Sequence, residues 1–106
     1  MKVIIQLCKN GDIAMVARHI LKKYDDVSDM VWVATPTYAP ILKELFPQFK
    51  LWELSTDPNK PLEAAKLVAL RYPEAEIIMP QQHGADDDLS KTLIYANYQQ
   101  YQFANS

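Results

Sequence analysis

The stretch "IIQLCKNGDIAMVARHI", from Ile4 to Ile20, decides the fold. Its apolar beginning is typical of a buried strand, and that run gives way to four polar or small residues, Lys9 to Asp12. From Ile13 through Tyr24 the apolar residues recur every three or four positions, which is the spacing of one helix face. The stretch therefore predicts a strand, a very short loop and a helix, with a carboxylate at the tip of the loop.

The same alternation of apolar run and helical pattern recurs along the chain. The third run alternates apolar and polar residues, which favours a strand near a sheet edge. Pro61 suits a first helical turn, and Pro47 and Pro73 each close a helix. We predict strands at 3–7, 30–34, 49–54 and 75–79. The helices between them are predicted to bury Ile13, Val16, Ala17, Ile20, Leu21 and Tyr24, then Tyr38, Ile41, Leu42, Leu45 and Phe46, then Leu62, Ala65, Ala69 and Tyr72.

A last helix is predicted from about Asp88, because Leu89, Leu93, Ala96 and Phe103 share one stripe. Strands that alternate with helices at this spacing argue for parallel strands joined by right-handed crossovers. The first two strands are almost continuously apolar, as expected when both sheet faces are covered. The prediction is a single α/β domain over 1–106: a Rossmann-like open parallel sheet of about four strands, in order 3-2-1-4, flanked by helices.

Composition narrows the functional classes. The chain has 106 residues, of which 49% are apolar and 23% charged, and a net charge of -2. Its lysines are scattered, so no basic face predicts nucleic-acid binding. Cys8 is the single cysteine, which excludes an intramolecular disulfide. No apolar run approaches the length of a membrane span, and no signal peptide precedes the first strand. These features lead us to expect a cytoplasmic domain.

The loop after the first strand is the leading candidate site. In an open parallel sheet, ligands bind outside the carboxyl ends of the strands, and Lys9, Asn10, Gly11 and Asp12 lie there. Gly11 can take a positive φ and allows close approach. Asp12 is expected either to cap the helix or to leave the helix amides facing an anion. The sequence contains neither G-x-G-x-x-G nor a P-loop, so we expect no dinucleotide cofactor.

The opening "KVIIQLCKNGDIAMVARHILKKY" and the later "VWVATPTYAPILKELFPQFKLWEL" resemble the first two units of the heptosyltransferase family of bacterial glycosyltransferases. Members are two-domain enzymes that move a sugar from a nucleotide-sugar donor to a lipopolysaccharide-type acceptor without a metal. The resemblance covers roughly residues 2–54 and implies an N-terminal, acceptor-binding lobe. The donor-binding lobe would then be missing from this chain.

The family resemblance also implies roles for residues in the first loop. Asp12 matches the Gly-Asp aspartate and would be the general base, while Lys9, Asn10 and Gly11 would shape the acceptor site. The loop departs from the family pattern, because Cys8-Lys9-Asn10 stands where small residues and a serine are usual. The alternative is a non-enzymatic Rossmann-like module that binds a small ligand or a protein.

Two further loops are expected at the same edge. Thr35 and Thr37 follow the second strand, where they are expected either to cap the next helix or to contact a ligand. Gln82 and His83 follow the fourth strand and could line the same crevice. His83 precedes three aspartates, but consecutive aspartates project in different directions, so we predict no metal site.

The tail "YANYQQYQFANS" carries Tyr95, Tyr98, Tyr101 and Phe103 among glutamines and asparagines. Tyrosines combine apolar area with a polar tip, which favours interfaces. We expect these aromatics either to pack on the sheet or to contact a second copy or the missing lobe.

Overall fold

The structure is a computed structural model that describes residues 1–80 and the backbone of 93–95. Three helices and five strands are described: β1 (Lys2–Ile5), α1 (Asn10–Lys23), β2 (Met30–Ala34), α2 (Ala39–Leu45), β3 (Lys50–Glu53), α3 (Pro61–Arg71), β4 (Glu76–Met79) and β5 (Leu93–Tyr95). The predicted alternation of strands and helices is confirmed through β4.

One open sheet joins the five strands in the order β3-β2-β1-β4-β5. β1 lies at its centre and pairs in parallel with β2 through Lys2 and Met30, and with β4 through Lys2 and Glu76. β3 pairs in parallel with the outer side of β2. The predicted parallel order 3-2-1-4 is therefore confirmed, and β3 lies at a sheet edge as its alternating pattern indicated.

β5 corrects the prediction of a last helix at its central positions. Leu93, Ile94 and Tyr95 form a strand that pairs antiparallel with β4, with Leu93 opposite Met79. The outer edge of β4 offers unpaired backbone groups, and an apolar three-residue run can satisfy them. Pairing with an available edge therefore outweighed a sparse helical stripe. Tyr95 lies in this strand, while Tyr98, Tyr101 and Phe103 are outside the described residues.

The two faces of the sheet carry separate apolar cores. One core joins the helices α1 and α2 to Ile4, Trp32 and Ile78, with Ile13, Val16, Ala17, Ile20 and Leu42 among its buried members. Residues 4, 32 and 78 alternate with their strand neighbours, so they share this face. Both faces of β1 and β2 are buried, as their continuous apolar runs predicted.

The second core packs α3 against Val3, Ile5, Val33 and Ile77. α3 contributes small residues to this core, namely Ala64, Ala65, Val68 and Ala69, all with 0% exposure. Leu62 was predicted on the buried face and instead is 41% exposed. Alanine at three positions allows the helix backbone to approach the sheet closely, and the larger leucine is turned outward.

Within the part of the chain that the structure describes, no helix is long and apolar enough to cross a membrane.

Candidate functional site

The sheet topology defines a crevice at the carboxyl edge. The crossover that leaves β1 runs through α1 on one face of the sheet, and the crossover that enters β4 runs through α3 on the opposite face. The strand order therefore reverses between adjacent β1 and β4, with α1 and α3 on opposite faces, and such a reversal is the switch point where open α/β sheets bind ligands. The loop that follows β1 lies at this point.

Three successive carbonyls anchor the chain between β1 and this loop. The backbone carbonyl of Gln6 accepts a hydrogen bond from Trp32 Nε1 at 3.0 Å. The carbonyl of Leu7 accepts from the amide and the hydroxyl of Thr35, both at 3.4 Å. The carbonyl of Cys8 accepts from the side-chain amide of Gln6. Residues 6–8 are all buried, so these bonds satisfy backbone groups that water cannot reach.

Exposure changes abruptly at the next residue. Lys9, Asn10, Gly11 and Asp12 are all exposed. Lys9 is the N-cap of α1, and its carbonyl accepts from the amide of Ile13 at 2.9 Å. The buried anchor and the helix start are thus contiguous, which is why a loop this short can join β1 to α1.

Helix α1 begins earlier than the sequence predicted. One expectation was that Asp12 would be its N-cap. Instead the helix starts at Asn10 and Asp12 lies in the first turn, where the helix dipole stabilises its negative charge. Lys9 makes no side-chain capping bond. Gly11 lies within the helix and does not use the positive φ that a glycine can take. Among the described residues, a Cβ added at Gly11 would meet nothing within 4 Å, so these residues leave the space beside Gly11 open.

The second loop, residues 35–38 between β2 and α2, contains two threonines that differ in exposure. Thr35 is 5% exposed, and its hydroxyl donates to Leu7, so it joins this loop to the end of β1. Thr37 is exposed. Neither threonine caps α2, whose N-cap is Tyr38 without a side-chain capping bond. Because Thr35 binds the β1 strand end, its hydroxyl proton is already used, whereas Thr37 presents its hydroxyl to solvent.

The loop between β3 and α3 is a neighbour that the sequence reasoning missed. Cys8 Sγ donates to the carbonyl of Pro58 at 3.3 Å, which holds this loop against the end of β1. Asp57 shapes the loop, since its carboxylate accepts from the amide of Asn59 at 2.9 Å and its carbonyl accepts from Lys60 at 3.1 Å. The Asp-Pro-Asn sequence between β3 and α3 is a turn signal that could have revealed this loop.

The electrostatics of Cys8 reflect its position beneath these loops. Burial raises the pKa of the Cys8 thiol above its ordinary value; the Lys9 ammonium opposes this shift, and the Asp12 and Asp57 carboxylates add to it. The thiol is therefore neutral at physiological pH and acts as a hydrogen-bond donor. With an exposure of 7%, Cys8 belongs to the core.

The structure thus brings Lys9, Asn10, Gly11, Asp12 and the second loop to one edge. Gln82 and His83 lie outside the described residues. Among residues 1–80, no group of three histidine, cysteine, aspartate or glutamate side chains is arranged to hold a metal ion. The exposed side chains supply one cation, one amide and one carboxylate, a set suited to binding a polar, anionic molecule and accepting a proton from it.

Comparison of the chain with family models, curated proteins and solved structures finds no match.

Proposed function

We propose that this chain is the acceptor-binding lobe of a glycosyltransferase that moves a sugar from a nucleotide-sugar to a glycan or lipopolysaccharide-type acceptor. A second lobe would bind the donor. The observation that carries the proposal is the exposed Lys9–Asp12 segment at the switch point beside β1. An exposed, polar segment set on a buried and fully hydrogen-bonded anchor is the arrangement that a ligand site on a rigid scaffold requires.

The chemistry of the segment supports an acceptor that carries a phosphate or carboxylate. The first amides of a helix have no intrahelical acceptor, and the helix dipole adds partial positive charge there. In α1 these are the amides of Asn10, Gly11 and Asp12, and the exposed Lys9 precedes them as the N-cap residue. The open space over Gly11 gives an anionic group room to approach.

In the proposed reaction, Asp12 acts as general base. Its carboxylate takes the proton of the acceptor hydroxyl, whose oxygen attacks the anomeric carbon of the donor sugar. The bond from that carbon to the nucleotide breaks, and the nucleoside phosphate leaves with the electron pair. A positioned general base contributes roughly 10²- to 10⁴-fold to the rate of such a step.

Binding is tested by titrating the ¹⁵N-labelled chain with a sugar phosphate and, separately, with the neutral sugar. We expect the sugar phosphate to shift the amides of Asn10, Gly11 and Asp12. Lys9→Ala should weaken binding by about tenfold, because one charge-assisted contact is lost. Lys22→Ala is the matched control, an exposed lysine in the last turn of the same helix. Absence of shifts at these amides up to millimolar ligand would contradict the proposed site.

Gly11→Ala separates binding from stability. The added methyl enters open space on a helical backbone, so it should stabilise the chain by up to about 1 kcal/mol. The same methyl occupies the path of the ligand and should weaken binding. A more stable variant with unchanged affinity would place the ligand elsewhere.

Asp12→Asn tests the base in an assembly that includes a donor-binding lobe. Turnover should fall by roughly 10²- to 10⁴-fold. Affinity for an anionic acceptor should be kept or improved, since a negative charge is removed. Asp25→Asn is the control, because Asp25 is an exposed carboxylate just beyond the other end of α1. Normal turnover of Asp12→Asn would exclude the role.

A second candidate function is a protein-interaction module, and one observation favours it. Helix α3 exposes Leu62, Leu67 and Leu70, by 41%, 45% and 66%. Exposed apolar side chains on one element favour association with another protein surface. Sedimentation at several concentrations tests self-association: a dimer that dissociates in a Leu67→Gln, Leu70→Gln variant would support this function, and a monomer at all concentrations would argue against a homodimer.

A further inference from the structure

Gln6 is the one polar residue in the otherwise apolar run from Val3 to Cys8, and it is only 3% exposed. Burying an amide side chain without hydrogen bonds is costly, so an apolar residue would be the simpler choice at this position. Its side-chain nitrogen donates to the carbonyl of Cys8, two residues further on. The buried amide of Gln6 therefore stabilises the turn that ends β1, and we call this hydrogen bond from Gln6 to Cys8 the brace.

The brace is continuous with the core. The backbone carbonyl of Gln6 receives the indole N–H of Trp32, which is fully buried. The Trp32 ring in turn meets the ring of Phe49 edge-on, with 5.0 Å between centroids. A buried network of this kind has one geometry, because each displacement would leave a polar group without a partner.

The brace also ends where the proposed site begins. The carbonyl that Gln6 holds belongs to Cys8, and the next residue is Lys9, the N-cap of α1. The Cys8 thiol holds Pro58 of the neighbouring loop at 3.3 Å. Cys8 thus links the Gln6 amide, through its carbonyl, to the residue before the α1 N-cap and, through its thiol, to the β3–α3 loop.

We infer that Gln6 is a positioning residue: it holds the Lys9–Asp12 segment in the single conformation that binds the acceptor. This inference rests on the proposed function, although Gln6 itself is buried and does not touch the ligand. The expected consequence is local, because loss of the Gln6 amide frees the start of α1 while the rest of the helix keeps its packing.

The test compares hydrogen exchange at two amides of α1 in wild type and in Gln6→Met, which keeps the side-chain length and removes the amide. The Ile13 amide bonds to Lys9 at the helix start, and the Ala17 amide lies in mid-helix. We expect the Ile13 protection factor to fall at least about tenfold more than that of Ala17. Ile78→Val is the control: it trims the same core on β4, and should lower both protection factors equally.

Equal loss at Ile13 and Ala17 in Gln6→Met would overturn the inference, since Gln6 would then serve overall stability alone. If Gln6→Met does not fold, the test uses wild type, in which the exchange of the Gln6 side-chain amide protons is measured. One side-chain amide proton of Gln6 should exchange slowly with solvent, and two rapidly exchanging protons would exclude the brace.

Gln6→Glu supplies a conservative rescue. A neutral carboxylic acid can donate to the Cys8 carbonyl, whereas a carboxylate cannot. Protection of Ile13 relative to Ala17 should therefore return as pH is lowered, and wild type over the same pH range is the reference, because it carries the same charged neighbours Lys9, Asp12 and Asp57. An unchanged ratio at every pH would contradict the inference.

Ligand titration distinguishes this inference from the proposed function. If sugar phosphate does not bind wild type but Gln6→Met selectively loses Ile13 protection, the proposed function fails while the brace stands. If wild type binds and Gln6→Met binds equally well with Ile13 still protected, the site stands and the positioning role fails.

Discussion

Replacement of Trp32 by phenylalanine should destabilise the chain strongly, because it removes two contributions at once. Trp32 is fully buried, and its indole N–H donates to the carbonyl of Gln6 at 3.0 Å. Leaving that buried carbonyl without its donor costs about 1–3 kcal/mol. The smaller ring also leaves unfilled core volume beside Phe49, which adds about 1 kcal/mol. We therefore expect a loss of about 2–4 kcal/mol in the free energy of unfolding.

Urea denaturation followed by far-UV circular dichroism measures this loss. The free energy of unfolding of a small domain falls by about 1–1.5 kcal/mol per M of urea, so the midpoint should fall by roughly 1.3–4 M. Trp52→Phe is the matched control: Trp52 is half-buried on β3, where Arg71 stacks at 4.8 Å and Tyr72 lies 6.0 Å away. That variant should lose about 1 kcal/mol or less. Equal losses in the two variants would refute a special role for the Trp32 indole.

Three further predictions concern other parts of the chain. Burial raises the pKa of the Cys8 thiol, so the contribution of Cys8 to stability is present below the unfolded-state thiol pKa of about 8.5 and is lost as pH rises through the higher folded-state pKa. The stability of wild type relative to Cys8→Ala should therefore fall as pH rises above about 8.5, and a constant difference would contradict this. Ala69→Leu should lower the free energy of unfolding by about 1–3 kcal/mol, because Ala69 has no exposed surface between α3 and the sheet. The control Leu70→Ala, on the exposed face of α3, should change the free energy of unfolding by less than about 0.5 kcal/mol. Thermal unfolding of both variants measures the two effects, and equal losses would contradict the prediction. Lys43→Ala removes an exposed ion pair in which Lys43 Nζ lies 2.6 Å from Glu53 Oε1, and it should lower the free energy of unfolding by about 0.2–1 kcal/mol at low salt. In 1 M salt, where charges are screened, this loss should vanish. A loss that does not depend on salt would show that packing, rather than charge, is responsible.

Most of the parallel sheet could be predicted from the sequence. Apolar runs such as 30–34 and helical stripes such as Ile13 to Tyr24 report burial directly, and burial in an alternating β-α pattern leaves few possible topologies. The strand at Leu93–Tyr95 was not predicted because three residues are too few to show the period of a strand, while the stripe of Leu89, Leu93, Ala96 and Phe103 favoured a helix. The exposure of Leu62 was not predicted either. Helix α3 lies close to the sheet, and the side chains buried between them are mainly alanines, so the larger Leu62 faces outward.

The position of the candidate site was predictable, but its local geometry was not. An Asp after Gly in a short loop has the pattern of an N-cap, and yet α1 begins at Asn10. The cause lies in contacts with remote residues, since Trp32 and Thr35 hold the carbonyls that precede the helix. A sequence pattern reports local preference and cannot show which distant donor reaches a given carbonyl. The buried Gln6 was the visible signal, a polar residue inside an apolar run.

The central position of β1 has a consequence for the nascent chain. β1 can pair with β2 as soon as Ala34 has left the ribosome, but its other edge pairs with β4 and must wait for Glu76 to Met79. Until then β1, which is apolar from Val3 to Ile5, presents an open edge, and open apolar edges can pair with other chains. Slow elongation between β3 and β4 would prolong that interval, so synthesis rate over this segment should govern how much of the protein reaches its native state without aggregating.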